Sequence, residues 1–178
     1  MGKIRWFKHG EEFEKYFCGE LEPLSFPISF TSFNANLANA ILAQPKGHDP
    51  RCPIGKPLKM VYDEIIKCVP CEWQEYIQVY VCIGLPVDVL NGMDIVIACM
   101  HPQVYAMGTI DLTINSSKIT GQDFKSDFLV MPADCRKWRL VVLARSFAHF
   151  LSTHQMNIPQ EVISMVESHK IRGRQGSG

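Results

Sequence analysis

The sequence lacks net charge, a long apolar run and a secretory leader, and each absence excludes a class of protein. Eighteen lysine and arginine residues balance eighteen aspartate and glutamate residues. This balance excludes a strongly basic nucleic-acid-binding domain and an acidic disordered chain. The longest apolar stretches, around 79–85 and 94–100, have the length of a strand, so the sequence predicts no membrane span. The first residues include no apolar segment of the secretory type, which favours a cytoplasmic location.

Motifs of enzymatic catalysis are also missing from the sequence. It contains neither a G-x-S-x-G nucleophile motif nor a glycine-rich phosphate-binding loop. Its paired carboxylates, Glu11-Glu12 and Asp63-Glu64, lie in charged stretches typical of solvated surfaces. We therefore expect a protein that is not an enzyme and that uses no cofactor and no small-molecule substrate.

The seven cysteines are odd in number and scattered, which is typical of a reducing compartment rather than of a disulfide framework. Four residues nevertheless have the spacing of a zinc site, H-x3-C followed by C-x2-C: His48, Cys52, Cys68 and Cys71. Two pairs of such ligands suit tetrahedral zinc. Against this, Cys68 ends a predicted helix, and Cys71 directly follows a proline. A zinc-stabilised binding module is therefore the alternative interpretation.

Apolar periodicity divides the chain into helices and strands. From Leu58 to Cys68 the apolar residues fall at i, i+3, i+4, i+7 and i+8, which predicts an amphipathic helix. Four segments alternate between polar and apolar residues or are apolar throughout, as strands do. These predicted strands are 75–85, 93–100, 107–114 and 128–131, and Thr109, Asp111 and Thr113 of the third are predicted to face solvent. Asn91-Gly92 predicts a hairpin turn between the first two.

The elements predict a single α+β domain with a mainly antiparallel sheet and a few packed helices. Its predicted parts are an N-terminal arm with a short helix at 1–20, the domain at 21–168 and a disordered basic tail at 169–178.

Three further segments complete this division of the chain. A strand is predicted at 24–33 and a final helix at 159–168. The segment Arg136–Leu151 fits both a strand and a helix, and the strand is favoured as far as Arg145 because Val141-Val142 is rich in strand formers. The proline-rich segment 44–57 is predicted to be an exposed basic loop.

Basic residues form three clusters despite the neutral average, and two clusters surround a tryptophan. The first comprises Lys3, Arg5, Trp6 and Lys8, the second Arg136, Lys137, Trp138 and Arg139, and the third Lys170, Arg172 and Arg174. Lysine and arginine bind the phosphates of nucleic acid or anionic lipid, and tryptophan prefers the interface between membrane and water. The clusters therefore indicate a surface on which charge is segregated.

The order of elements between Lys59 and Arg145 resembles that of rhabdovirus matrix proteins, in particular the compact, cytorhabdovirus-like type of plant-infecting members. The resemblance is carried by the helix Met60–Cys68, the strand I-Q-V-Y-V-C-I-G-L at 77–85 and the strand M-G-T-I-D-L-T-I at 107–114. These residues span about half of the chain. A lysine-rich N-terminal arm and a PPxY motif, both features of relatives that infect animals, are absent from the sequence.

The resemblance implies a structural protein of the virion that links the nucleocapsid to the inner face of the membrane and self-associates during assembly. Its location would be the virion and the periphery of membranes in the host cytoplasm. The contacts with anionic membrane or nucleocapsid would then rest on the first two basic clusters. The alternative becomes a zinc-stabilised viral accessory protein, for example a silencing suppressor.

Overall fold

The structure of the chain, a computed structural model, describes residues 7–22, 24, 32–115, 117 and 125–175. These residues form helices, strands and two 3₁₀ turns, at Cys71–Tyr76 and Pro132–Cys135. The elements are α1 Gly10–Cys18, α2 Phe33–Leu42, α3 Lys56–Cys68, β1 Ile77–Val81, α4 Pro86–Asn91, β2 Ile95–Cys99, β3 Ala106–Leu112, β4 Phe128–Val130, α5 Lys137–Thr153 and α6 Gln160–Gln175.

The strands form one sheet in the order β1-β2-β3-β4. β2 pairs antiparallel with β1 and β3, so that Ile97 lies opposite Val79 on one side and Gly108 on the other. β3 pairs with β4 in parallel, with Asp111 opposite Leu129. The predicted α+β class is confirmed, and the sheet is mixed rather than purely antiparallel.

Helices cover both faces of the sheet because the central strand is apolar on both faces. All five residues of β2 are buried. Ile95, Ile97 and Cys99 belong to an apolar core with α1, α3 and α5, whereas Val96 and Ala98 belong to a second core with α2, α4 and α6. The same burial overturns the prediction for β3, since Thr109, Asp111 and Thr113 are buried rather than solvent-facing.

The proline-rich loop covers the free edge of β1 instead of standing free in solvent. The Val79 N–H donates to the Pro50 carbonyl oxygen at 2.8 Å, and the Val81 N–H donates to Gln44 Oε1 at 2.9 Å. His48 Nε2 lies 2.7 Å from the Val79 carbonyl oxygen. An uncovered strand edge invites pairing with another chain, so these contacts protect β1 from edge-to-edge association.

The N-terminal segment packs on the domain as far as the structure describes it. Phe13 and Phe17 of α1 are fully buried in the core that also contains α3, and Phe7 lies 5.3 Å from Phe13 between ring centroids. α1 ends at Cys18, and Gly19, which follows it, has φ 92°. Residues 7–18 of the predicted arm thus belong to the domain.

The predicted hairpin at Asn91-Gly92 is wrong. Asn91 ends helix α4, and Gly92 is the left-handed residue that follows it, at φ 65° and ψ 40°. Glycine favours this position for the same reason that it favours a hairpin turn, because it adopts positive φ without strain. Asn91-Gly92 therefore indicated the positive φ correctly, but the residues before it form a helix and not a strand.

The predicted strand within Arg136–Leu151 is also wrong, because this segment is helix α5. Its buried residues follow a helical spacing: Leu140, Ala144, Phe147, Ala148 and Leu151. Trp138 and Val142, which share one face with Leu140 in the strand interpretation, are instead 59% and 54% exposed. The helix is favoured because its buried residues form a continuous stripe that packs on α3 and β3.

The structure describes most of the predicted tail at 169–178 but little of the predicted strand at 24–33. α6 continues to Gln175, so residues 169–175 are helical and not disordered. The strand at 24–33 lies largely outside the described residues, and its last residue, Phe33, begins α2.

Replacing Gly55 with alanine should strongly destabilise the fold, because the ends of α1 and α3 meet there without space for a side chain. A Cβ atom on Gly55 would lie 2.1 Å from the Phe17 carbonyl oxygen and 2.3 Å from the Cys18 carbonyl carbon, both backbone atoms. We expect Gly55→Ala to lower the free energy of unfolding by about 3 kcal/mol in urea denaturation. Gly10→Ala, whose Cβ meets nothing closer than 3.7 Å, is the matched control. Equal unfolding midpoints for the two variants would contradict this account.

Candidate functional site

Of the first predicted cluster, the structure describes Lys8 and leaves Lys3, Arg5 and Trp6 outside the described residues. The Lys8 side chain is exposed, and the Lys8 N–H donates to Glu12 Oε2 at 3.1 Å in front of α1. Phe7, its neighbour, lies between Phe13 and Tyr16. The described end of the cluster is thus held against the domain.

The second predicted cluster lies together at the start of α5. Arg136 precedes the helix, and Lys137, Trp138 and Arg139 form its first turn. Arg139 Nη1 lies 2.8 Å from Asp134 Oδ1, and the Arg139 guanidinium lies 5.2 Å from the centroid of the Trp138 ring. Arg139 is therefore partly neutralised and fixed beside the tryptophan.

Helical periodicity adds two residues that the cluster in the sequence did not contain. Val142 and Arg145 follow Trp138 at i+4 and i+7, so all three share the outward side of α5. Arg145 Nη2 reaches Glu64 Oε1 of α3 at 3.4 Å, with most of its side chain exposed. We call Arg136, Lys137, Trp138, Val142 and Arg145 together the α5 surface.

The electrostatics of the α5 surface favour an anion. The amino-terminal end of a helix carries a partial positive charge, which repels basic side chains and attracts negative groups. Arg136 and Lys137 stand at this end, and the first turn contains no acidic residue. Within the described part of the chain, neither forms an ion pair. A phosphate or carboxylate from outside would relieve this repulsion.

The four predicted zinc ligands are not assembled into a metal site. Among the described residues, no three histidine, cysteine, aspartate or glutamate side chains come together as metal ligands. His48 instead bonds the β1 edge through Nε2, and burial lowers its pKa, so the ring is a neutral structural contact. Cys52, Cys68 and Cys71 are exposed. The structure therefore does not bring these four side chains together.

An acidic pocket that the sequence analysis missed lies where α1, α4, β2 and β3 meet. Its volume is about 410 Å³, and its carboxylates are Glu14, Asp88, Asp94 and Asp111, with Lys125 at its wall. Asp94 is 4% exposed and Asp111 is 7% exposed. Glu14, Asp111 and the pair Asp88 and Asp94 come from three separate parts of the chain, which the topology brings together.

Asp94 holds a proton at neutral pH. The pKa of its carboxyl group is raised to about 9, chiefly by burial and next by the charge of Asp88, while the bond from the Leu112 N–H opposes the shift. The Leu112 N–H donates to Asp94 Oδ2 at 2.5 Å, and Asp88 of α4 lines the same pocket. A protonated carboxyl group has an O–H donor, which suits a neighbouring carboxylate such as that of Asp88.

No protein-family model, curated protein or solved structure matches the chain. Within the described residues, no helix combines the length and the apolar character needed to cross a bilayer. The function of the chain is therefore inferred from the chemistry of its own surfaces.

The proton on Asp94 should make stability fall as pH rises. The carboxyl pKa is about 9 in the folded state, against an ordinary value of 3.8. The stability of a fold that holds this proton is therefore complete below about pH 4 and decreases progressively as pH rises to about 9. One proton changes the free energy of unfolding by about 1.4 kcal/mol per pH unit across this window. Asp94→Asn keeps an acceptor for Leu112 and a donor for Asp88 but does not ionise. The free energy of unfolding of this variant should therefore increase relative to that of the parent as pH rises.

Urea denaturation of both proteins at several pH values checks this prediction. Asp63→Asn is a suitable control, because Asp63 forms its ion pair with Lys59 on an exposed surface. A constant difference in stability between Asp94→Asn and the parent from pH 5 to pH 9 would show that Asp94 is ionised in the fold.

Proposed function

We propose that the protein is a non-enzymatic, matrix-like structural protein that links a viral nucleocapsid to the inner face of a membrane. In this proposal the α5 surface contacts anionic lipid, and copies of the chain associate with one another during assembly. The protein would act in the virion and at membranes in the host cytoplasm, without entering the bilayer.

The observation that carries the membrane part of the proposal is the exposure of Trp138 and Val142 beside Arg136 and Lys137. Trp138 is 59% exposed, although a tryptophan gains most of any side chain from leaving water. Tryptophan next to basic residues is the combination that suits the boundary of an anionic membrane, where the ring meets headgroups and the cations meet phosphate. A helix lying along the surface would present these residues together.

The contacts with nucleocapsid and with other copies come from the resemblance to matrix proteins. The two helix layers support these contacts, because the α5 surface belongs to one layer and leaves the opposite layer available for other partners. Such contacts are individually weak and act through repetition in an assembly.

Binding of vesicles tests the membrane contact. Each lysine or arginine near an anionic membrane contributes about 1 kcal/mol, so Arg136→Gln with Lys137→Gln should weaken binding roughly thirtyfold. Trp138→Ala should weaken it without changing its dependence on salt. Flotation with phosphatidylserine-containing vesicles over a series of NaCl concentrations measures both effects.

The double variant Lys15→Gln with Lys46→Gln is the matched control, because it removes the same charge from exposed positions away from α5. It should float like the parent protein. The proposal fails if the parent shows no salt-sensitive flotation, or if the α5 and control variants lose binding equally.

A further inference from the structure

The end of α6 extends past the part of the helix that packs on the domain. Val162, Ile163 and Val166 are buried against α2 and the sheet, whereas every side chain described from 167 to 172 is exposed. The Tyr105 hydroxyl donates to Glu167 Oε1 at 2.8 Å and ties the helix to the domain just after the last buried residue. We call the remainder, Ser168–Gln175, the α6 extension.

The α6 extension is basic along its whole length. It contains His169, Lys170, Arg172 and Arg174 and no aspartate or glutamate. Cations in the last turn of a helix interact favourably with the helix dipole, but this effect fades within one turn. The extension is two turns long, so the dipole does not account for its composition. The side chains described in the extension, at 168–172, are all exposed, so packing adds little to its stability and a partner that orders it is favourable.

The α6 extension differs from the α5 surface in two ways that decide its partner. The first is composition, because Ile171 is its one large apolar side chain and it has no aromatic residue. The second is position, because α5 packs on one face of the sheet and α6 on the other. A flat membrane that contacts α5 therefore lies across the molecule from α6.

We propose that the α6 extension binds the phosphate backbone of RNA without reading its sequence. Lysine and arginine on one exposed helix neutralise successive phosphates, and this contact needs no aromatic or apolar partner. The inference builds on the proposed function, because it names the partner for the side of the molecule that faces away from the membrane. Its test is nevertheless independent of membrane binding.

Fluorescence anisotropy of a short fluorescein-labelled uridylate RNA, with the full chain, tests the proposal. If the three lysine and arginine residues each neutralise one phosphate, the logarithm of the binding constant should fall with the logarithm of salt concentration with a slope of about −2. Lys170→Gln with Arg172→Gln should reduce the magnitude of this slope by about 1.4 and weaken binding at least tenfold at low salt. Glutamine is a good helix former, so these substitutions should leave the helix content in circular dichroism unchanged.

Two variants serve as controls because each removes two positive charges elsewhere. Lys15→Gln with Lys46→Gln should bind RNA like the parent, and Arg136→Gln with Lys137→Gln should lose vesicle binding while it keeps RNA binding. The proposal is overturned if the parent does not bind RNA at low salt, or if the α6 variant binds RNA like the parent. It is also overturned if the α6 variant loses vesicle binding instead of RNA binding. Failure of the parent to float with vesicles would contradict the membrane contact alone.

Discussion

The burial of β2 on both faces is the constraint on which the rest of the structure depends. A strand that is apolar on both faces is stable only where both faces are covered, so helices must pack on each side of the sheet. The chain meets this need with α1, α3 and α5 on one face and α2, α4 and α6 on the other. Because the two basic helices lie in different layers, the same burial also separates the α5 surface from the α6 extension.

Sequence reasoning located the elements whose periodicity has one interpretation. α3 and the core of every strand are helical or extended as predicted, since their apolar spacing fits one period. It failed for α5, where the apolar residues fit both periods, and the choice depends on the place beside β3 that β4 already occupies. It also treated β3 as solvent-facing, because the contacts of Thr109 with Asp127 and of Asp111 with the residues of α4 are tertiary contacts that alternation along one strand does not reveal.

The candidate sites, like the helices and strands, were predictable only where neighbours in the sequence are also neighbours in the fold. The cluster around Trp138 is contiguous, so composition alone revealed it, although its extension to Val142 and Arg145 required knowing that the segment is a helix. Asp94 directly precedes β2 and Asp111 lies in β3, so they meet only through the register of the sheet. An aspartate at the start of a strand that is otherwise apolar is the one signal in the sequence that pointed to this pocket, because a buried carboxyl group needs a partner or a proton.

Zero net charge fits a protein that contacts different partners with different sides. Each basic surface has three or four cations, too few for tight binding by one molecule at physiological salt. The acidic residues near α1 and α4 keep the remaining surface from attracting the same polyanions. A single copy would therefore release both membrane and RNA readily, whereas many copies held side by side would bind through the sum of weak contacts. Under the proposed function, neutrality would make attachment depend on assembly, as a layer between membrane and nucleocapsid requires.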